Sequence, residues 1–556
     1  MSEDAGATIE PKSDEPIGRR RMRTARAGIR WTIAIAVVLC VAIVSGLGFY
    51  LLSGAGGAKS LTAAYVPKAS IAFLDVRTDL PGDQHEKLAN FLAHFPGFKD
   101  RAQFDNAFDT MLNRLTGAVS QEFEYTSAFK PWAEGEISIA VTGVAFPIGL
   151  DVVAVVSVKD RAKAQAWISD TTAGQGYVAG SYAGNTIYTH SGSTATAYAL
   201  TDKALLYGTP DAVKESLDAP KKGSLSGDAN YQRAMKSFSG DRIASFYFAT
   251  APLLRGFFIP LADHGVSQDE VNFGIGALPA WFGGSIRVEN DRIVAEIASP
   301  PVGSSPASSH SSRIAGQLPS STVALLEIHS AGKLASQATS ASKDTRAPGQ
   351  LQSIASNVEQ VLGLIGGTDW LQDVGLAVIE DGTDFHAGLV GQTADADTAG
   401  GKMSGISTLL AISSGLTGLG VSQENYNGTT ITLVHVNANS LLGIPALDLA
   451  LASKQNLILV GFDDAFVKSV LDTKSSNSLA SVGNYTSAMQ AAGQSNAGYL
   501  FLNLGGALDQ LGPTLLSLDR AAYDLYTRPY LSHVGGASLV QLTSHPITSR
   551  LVVMAK

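Results

Sequence analysis

A handful of short patterns in this 556-residue sequence contain residue types that could do chemistry. His85-Glu86 begins the H-E-x-x-H arrangement that puts two imidazoles on one helix face around zinc, but the second histidine's place holds Ala89. One imidazole does not hold zinc, so the pair reads as helix surface. Gly400-Gly401-Lys402 resembles the end of a phosphate loop, yet Met403 follows the lysine and the upstream glycine is missing, so a solvated loop is expected. Gly180-Ser181-Tyr182-Ala183-Gly184 carries its serine one place too early for a nucleophile elbow. Asp395-Ala396-Asp397 lacks the glycine and distal glutamate of a calcium loop and reads as a helix cap. Cys40 is the single cysteine, which excludes disulfides and cysteine-based metal or nucleophile sites. The expectation is no catalytic, cofactor-binding or metal-ligating residues, and no cofactor.

Other residues stand out because they recur. Asp75 and Glu327 end matching strands and could form a paired acidic site, although a strand-end carboxylate more commonly caps a helix or faces water. Trp132 and Trp370 could stack a sugar-like ligand, but an aromatic beside a strand is usually core. Asn230 and Asn484 each precede an apolar-periodic stretch and read as helix N-caps.

These recurrences belong to a larger pattern. Pro67-x-x-x-Ile71-Ala72-Phe73-Leu74-Asp75-Val76 matches Pro319-x-x-x-Val323-Ala324-Leu325-Leu326-Glu327-Ile328. Ile139-Ala140-Val141 after Trp132 matches Leu376-Ala377-Val378 after Trp370, and Asn230-Tyr231 matches Asn484-Tyr485. Gly283-Gly284 matches Gly535-Gly536. The order is kept throughout, which points to two copies of one domain. In each copy, short alternating strands mix with short helices without regular βαβ spacing, and Asn290-Asp291 sits where a tight hairpin turn belongs. The expected class is α+β, with mainly antiparallel sheets in two tandem repeat domains, 61–298 and 313–556. Residues 299–312, rich in serine, proline and glycine, are expected as a linker.

The N-terminal region sets the expected location. Trp31 to Leu52 is an uncharged apolar run, long enough at about 1.5 Å per residue to cross a hydrocarbon layer of about 30 Å as a helix. Arg19, Arg20, Arg21, Arg23, Arg26 and Arg30 precede it, whereas only Lys59 lies close on the other side. Positive flanks stay inside. The expectation is a single-pass bacterial membrane protein: a disordered cytoplasmic tail (1–30), an uncleaved anchor (31–52), a spacer (53–60) and an extracytoplasmic segment (61–556). A cleaved signal peptide is the competing reading, with Ser53-Gly54-Ala55 as the small-residue site. The chain carries a formal charge of −9, and the segment after residue 60 holds 32 basic against 44 acidic residues. That balance argues against nucleic acid as a partner.

The anchor followed by Pro67…Asp75-Val76, Phe95-Pro96-Gly97-Phe98 and Pro131-Trp132-x-x-Gly135 resembles a bacterial membrane-anchored family known only as a domain of unknown function. The second copy departs from it: no Phe-Pro-Gly-Phe follows Glu327, and Asp369 replaces the proline before Trp370. The resemblance implies an exported envelope protein and brings no catalytic residue. The expected function is a non-enzymatic binding or scaffolding module for an envelope protein, a lipid or a small ligand. The alternatives are a hydrolase built from scattered residues, or an assembly or quality-control factor for exported proteins.

Overall fold

The computed structural model describes residues 60–556 apart from 97, 101–102, 120–124, 146–148, 192–194, 239, 253–277, 302–307, 343–365, 383, 418, 437–446, 504–519, 521–523, 525–527, 529–531 and 543–546. The expected tail, anchor and most of the spacer lie outside the described residues, as does Gly97 of the Phe-Pro-Gly-Phe motif.

The first half supplies β1 (Ala72–Arg77), β2 (Ala133–Ala145), β3 (Gly149–Val158), β4 (Val178–Tyr182), β5 (Asn185–His190), β6 (Thr196–Leu200), β7 (Ala204–Gly208), β8 (Ala244–Ala249), β9 (Trp281–Glu289) and β10 (Arg292–Ala298). The second supplies β11 (Thr322–Ile328), β12 (Leu371–Asp381), β13 (Asp384–Thr393), β14 (Leu419–Tyr426), β15 (Thr429–Val436), β16 (Leu447–Lys454), β17 (Leu457–Gly461), β18 (Gly498–Leu502), β19 (Val534–Gln541) and β20 (Ile547–Ala555). The helices used below are α1 (Gln84–Leu92), α2 (Phe104–Val119), α3 (Arg161–Thr172), α4 (Pro210–Lys222), α5 (Ala229–Lys236), α6 (Ala331–Ser342), α7 (Ala396–Thr417), α8 (Asp464–Asp472) and α9 (Gly483–Ala492).

Each half pairs its strands in the same antiparallel order. In the first it runs β4-β5-β6-β7-β3-β2-β1-β8-β9-β10. In the second it runs β14-β15-β16-β17-β13-β12-β11-β18-β19-β20. Trp132 and Trp370 immediately precede the corresponding strands β2 and β12. The turns are built from the residues that tolerate them. Ala183 and Gly184, both at positive φ (50° and 84°), close the β4–β5 hairpin, and Asn290 at φ 44° starts the turn between β9 and β10.

The expected class needs correcting on two points. The two halves are not separate domains, because β10 pairs with β20 and joins all twenty strands into one antiparallel sheet. The reason is the edge problem: a strand at the end of a sheet exposes unpaired N–H and C=O groups, and joining the two free edges satisfies both. The register is reciprocal. Gly284 faces Ile297 and its counterpart Gly536 faces Met554, so Ala295 corresponds to Val552 and Val294 to Leu551. Across the seam Val294 faces Val552 and Ala295 faces Leu551, so each pair maps onto the other, as in a two-fold dimer interface. The second correction concerns the anchor, which nothing in the described residues supports: none of their helices is long and apolar enough to cross a membrane, and residues 31–52 lie outside them.

One sheet face is packed under helices α4, α5, α8 and α9. Phe73, Val153 and Tyr247 meet Val213, Leu217 and Ala234 in the first half. Leu325, Ala377 and Phe501 meet Phe466, Val470 and Met489 in the second, where Val294 of the first half also joins the core. The opposite face is covered toward its ends, by α3 with Trp132 and Val156 and by α7 with Met403, Leu451 and Ile458.

Candidate functional site

The helix-covered face carries a buried polar cluster in each half, at equivalent places. Asp75 lies opposite Ser138 and Arg77 opposite Glu136. Glu327 lies opposite Gly375 and Ile328 opposite Val374, which sets His329 beside Asp373. The triplet Asp75, Arg77, Glu136 thus has the counterpart Glu327, His329, Asp373, at the same end of the same strand pair.

In the second cluster Glu327 and His329 are fully buried and Asp373 is 1% exposed. Glu327 Oε2 accepts from Tyr499 Oη at 2.9 Å and from Ser312 Oγ. Tyr485 Oη donates on to Tyr499 at 2.8 Å. Burial raises the pKa of Tyr499 well above the ordinary tyrosine value, and Glu327 adds to it; burial likewise pushes Tyr485 up to about 12. Both phenols therefore remain donors at neutral pH.

His329 Nδ1 donates to the Asn496 carbonyl at 2.7 Å, and its Nε2 lies 3.2 Å from Glu327 Oε1. Burial works against a charge on this ring, but the adjacent Glu327 outweighs it and holds the pKa above the usual histidine value. The His310 ring stacks on His329 with centroids 4.0 Å apart. Its Nδ1 donates to the Ser311 carbonyl at 2.9 Å and its Nε2 stands 3.4 Å from Asp373 Oδ1. That oxygen accepts from the Ser330 amide at 3.1 Å, while Asp373 Oδ2 is buried without a partner. His310, His329 and Asp373 could together hold a metal ion, since each offers a ligand atom and these lie within 4.8 Å of one another.

Sequence reasoning expected no such group. Positions 310, 329 and 373 follow no ligand spacing, and His310 stands in the stretch 299–312 that composition marks as a linker. The signal that was available is the duplication: aligned on Pro67 and Pro319, Ser60 matches Ser312. In the structure both serines accept from an amide three residues on (Ala63 and Ala315, each at 3.0 Å) and donate into the adjacent carboxylate cluster.

The first cluster is differently charged. Glu136 accepts from the Leu61 amide (3.0 Å), the Thr62 amide (3.1 Å) and Thr62 Oγ1 (2.7 Å), and the Arg77 guanidinium stands 3.9 Å away. Burial and neighbouring Glu136 push the Asp75 carboxyl well above the usual carboxylate range. Asp75 and Glu327 do not form one paired site. β1 and β11 lie seven strand steps apart, on the order of 30 Å at about 4.8 Å per step.

The other sequence candidates are structural. His85 Nε2 pairs with Asp105 at 2.8 Å on an exposed surface. Gly400-Gly401-Lys402 is not a loop: it lies inside α7, with the Lys402 ammonium 5.4 Å from the centre of the Trp370 ring. Trp132 is buried, its indole N–H donating to the Ala128 carbonyl. Asn230 is not an N-cap; Asp228 caps α5 by accepting from the amides of Asn230 and Tyr231. Asn484 likewise sits inside α9 and reaches the Gly535 carbonyl instead. Asp395 does cap α7, accepting from the Thr398 amide at 2.7 Å.

The second surface of interest is apolar. Leu539, Leu500, Leu326, Leu376 and Leu389 lie directly opposite one another on β19, β18, β11, β12 and β13, on the face away from α8 and α9. All but the half-buried Leu500 are among the exposed large hydrophobics, and Ile328 beside Leu326 is 42% exposed. An antiparallel sheet with one solvated face normally alternates apolar-in with polar-out. Here both faces are apolar, and the strip spans about 19 Å across five strands.

A family model described as a protein of unknown function (DUF3352) matches residues 32–533. The chain belongs to this family. No curated protein matches it. Among solved structures, crystal form I of TP0453 is similar at 9% identity, covering 44% of this chain and 79% of that one, with a TM-score of 0.22. The DNA polymerase III β subunit from Pseudomonas aeruginosa is similar at 10% identity over 76% of this chain and 87% of its own, with a TM-score of 0.09. Likenesses this weak carry no functional argument.

Proposed function

We propose that this family member is a non-enzymatic binding module that seats an amphipathic helix of a partner protein on the leucine strip of β19, β18, β11, β12 and β13. The strip is the observation that carries the reading, since a contiguous exposed apolar surface marks a place to be covered. A helix is the fitting occupant because helices cover this same face elsewhere. Helix α3 buries Val156 and α7 buries Ile458 on it. In the first half Ile286 and Val288 of β9 are buried, and Gln84 of α1 bonds both the N–H and the C=O of Val288.

The test uses the full chain with a photo-crosslinking residue at position 376 and a synthetic peptide of residues 84–98 as the amphipathic probe. Crosslinking is expected, and Leu326→Glu with Leu389→Glu should weaken peptide binding at least about tenfold, since each buried leucine contributes roughly 2 kcal/mol. Absence of crosslinking, or crosslinking to phosphatidylglycerol vesicles in place of the peptide, overturns the reading.

The partner would be met outside the cytoplasmic membrane, a location that the arginine flank of residues 19–30 supports. A reporter joined at position 302 should be active on the exported side. Activity confined to the cytoplasm overturns this placement.

A further inference from the structure

We propose that His310, His329 and Asp373 form a binding site for a divalent transition cation of the zinc class. The first reason is the state of the two imidazoles. Each commits its Nδ1–H to a backbone carbonyl, Ser311 for His310 and Asn496 for His329. That leaves each Nε2 as the ligating atom once it carries no proton, His310 Nε2 facing Asp373 and His329 Nε2 facing Glu327, which is how outer-shell bonds orient metal-binding histidines. The second reason is Asp373 Oδ2. This carboxylate oxygen is buried, has no hydrogen-bond partner, and belongs to a residue whose other oxygen is held by the Ser330 amide. An unsatisfied buried oxygen on a carboxylate whose other oxygen stands 3.4 Å from an imidazole nitrogen asks for a cation.

The third reason is the duplication itself, which provides an internal control. In the first half the equivalent of His329 is Arg77, whose guanidinium supplies positive charge beside Glu136. In the second half Glu327 and Asp373 are buried together, and among the described residues neither pairs with a lysine or an arginine; they face the two histidines instead. A bound cation would restore the charge that the arginine provides in the first half.

The spacing suits a small ion. Ligand atoms about 2.0–2.1 Å from a tetrahedral zinc stand roughly 3.3 Å from one another. His310 Nε2 to Asp373 Oδ1 is 3.4 Å, close to that edge, and the ligand atoms of all three residues lie within 4.8 Å of one another. Two nitrogens with carboxylate oxygens favour zinc or a similar ion over calcium, which takes six to eight oxygens. His310 is the entry point, since it is the partly exposed member of the group.

The full chain, stripped with chelator, is titrated with Zn2+, Co2+ and Ca2+. One equivalent of Zn2+ should bind and raise the unfolding temperature, and Co2+ should give the intense visible absorption of a tetrahedral site. His310→Ala, at a partly exposed position, should keep the fold and weaken Zn2+ binding by ~100-fold or more, because losing an outer-shell partner alone costs about 10–100-fold. Asp373→Asn should do the same, and Arg77→His in the first half should leave the stoichiometry at one. No stoichiometric Zn2+ binding, tighter binding of Ca2+, or Zn2+ affinity unchanged in His310→Ala would each overturn the assignment.

Discussion

Glu296→Ala should destabilise the protein by about 2–4 kcal/mol, read as a fall in the urea midpoint at unchanged slope. Glu296 is only 2% exposed and lies on β10, at the seam between the halves. Its Oε2 accepts from Arg287 Nη1 at 2.6 Å, and its Oε1 accepts from Arg550 Nε at 2.9 Å, so one carboxylate links β9 and β10 of the first half to β20 of the second. Removing it leaves two guanidinium groups facing each other across a buried seam. Arg287 keeps Glu289 at 2.7 Å and both arginines retain some solvent contact, which is why the expected loss falls below that of a fully enclosed pair. Replacing Glu296, Arg287 and Arg550 together by methionine should recover most of the loss, since a well-packed apolar seam needs no charge. A triple variant as unstable as the single one would show that packing, not the orphaned arginines, sets the cost.

The seam also marks where local sequence information ends. The hairpin at Asn290-Asp291 and the alternation of β12 are patterns within a few residues, and the repeat itself survives as matched motifs such as Asn230-Tyr231 and Asn484-Tyr485. All of these are readable without coordinates. The pairing of β10 with β20 leaves no local trace, because an edge strand and a central strand carry the same alternation. Composition misled at Gly400-Gly401-Lys402 for a related reason. Three glycines, with Gly405, are poor helix formers, yet burying Ala399 and Met403 against β15 to β17 overrides that weak preference. The caps failed by two residues: Asp228, not Asn230, stands where the chain leaves its extended conformation to enter α5. The cation site was out of reach for a different reason. Its ligands come from the end of the serine-rich stretch, from just beyond β11 and from β12, and only the strand register brings them together.

The pH dependence of stability offers the sharper test of the first-half cluster. Asp75→Asn should stabilise the protein relative to wild type, by an amount that grows with pH. Asp75 is buried, its Oδ1 has no partner, and burial together with Glu136 holds its carboxyl well above the usual range, so the folded chain keeps it protonated where the unfolded chain does not. The folded state then binds one more proton than the unfolded state from about pH 4 up to the folded pKa. Within that window wild-type stability falls by about 1.4 kcal/mol per pH unit on account of this group, because unfolding releases the proton. The stability linked to Asp75 is complete below the unfolded pKa and is lost as pH rises through the folded one. Asparagine is neutral and nearly isosteric, so it fills the same space without that dependence. Urea midpoints of the two proteins should coincide near pH 4 and separate progressively toward pH 7, in favour of Asn. A constant difference across that range, or a less stable Asp75→Asn at pH 7, would mean that Asp75 is ionised in the fold and that Arg77 and Arg242 together outweigh its burial.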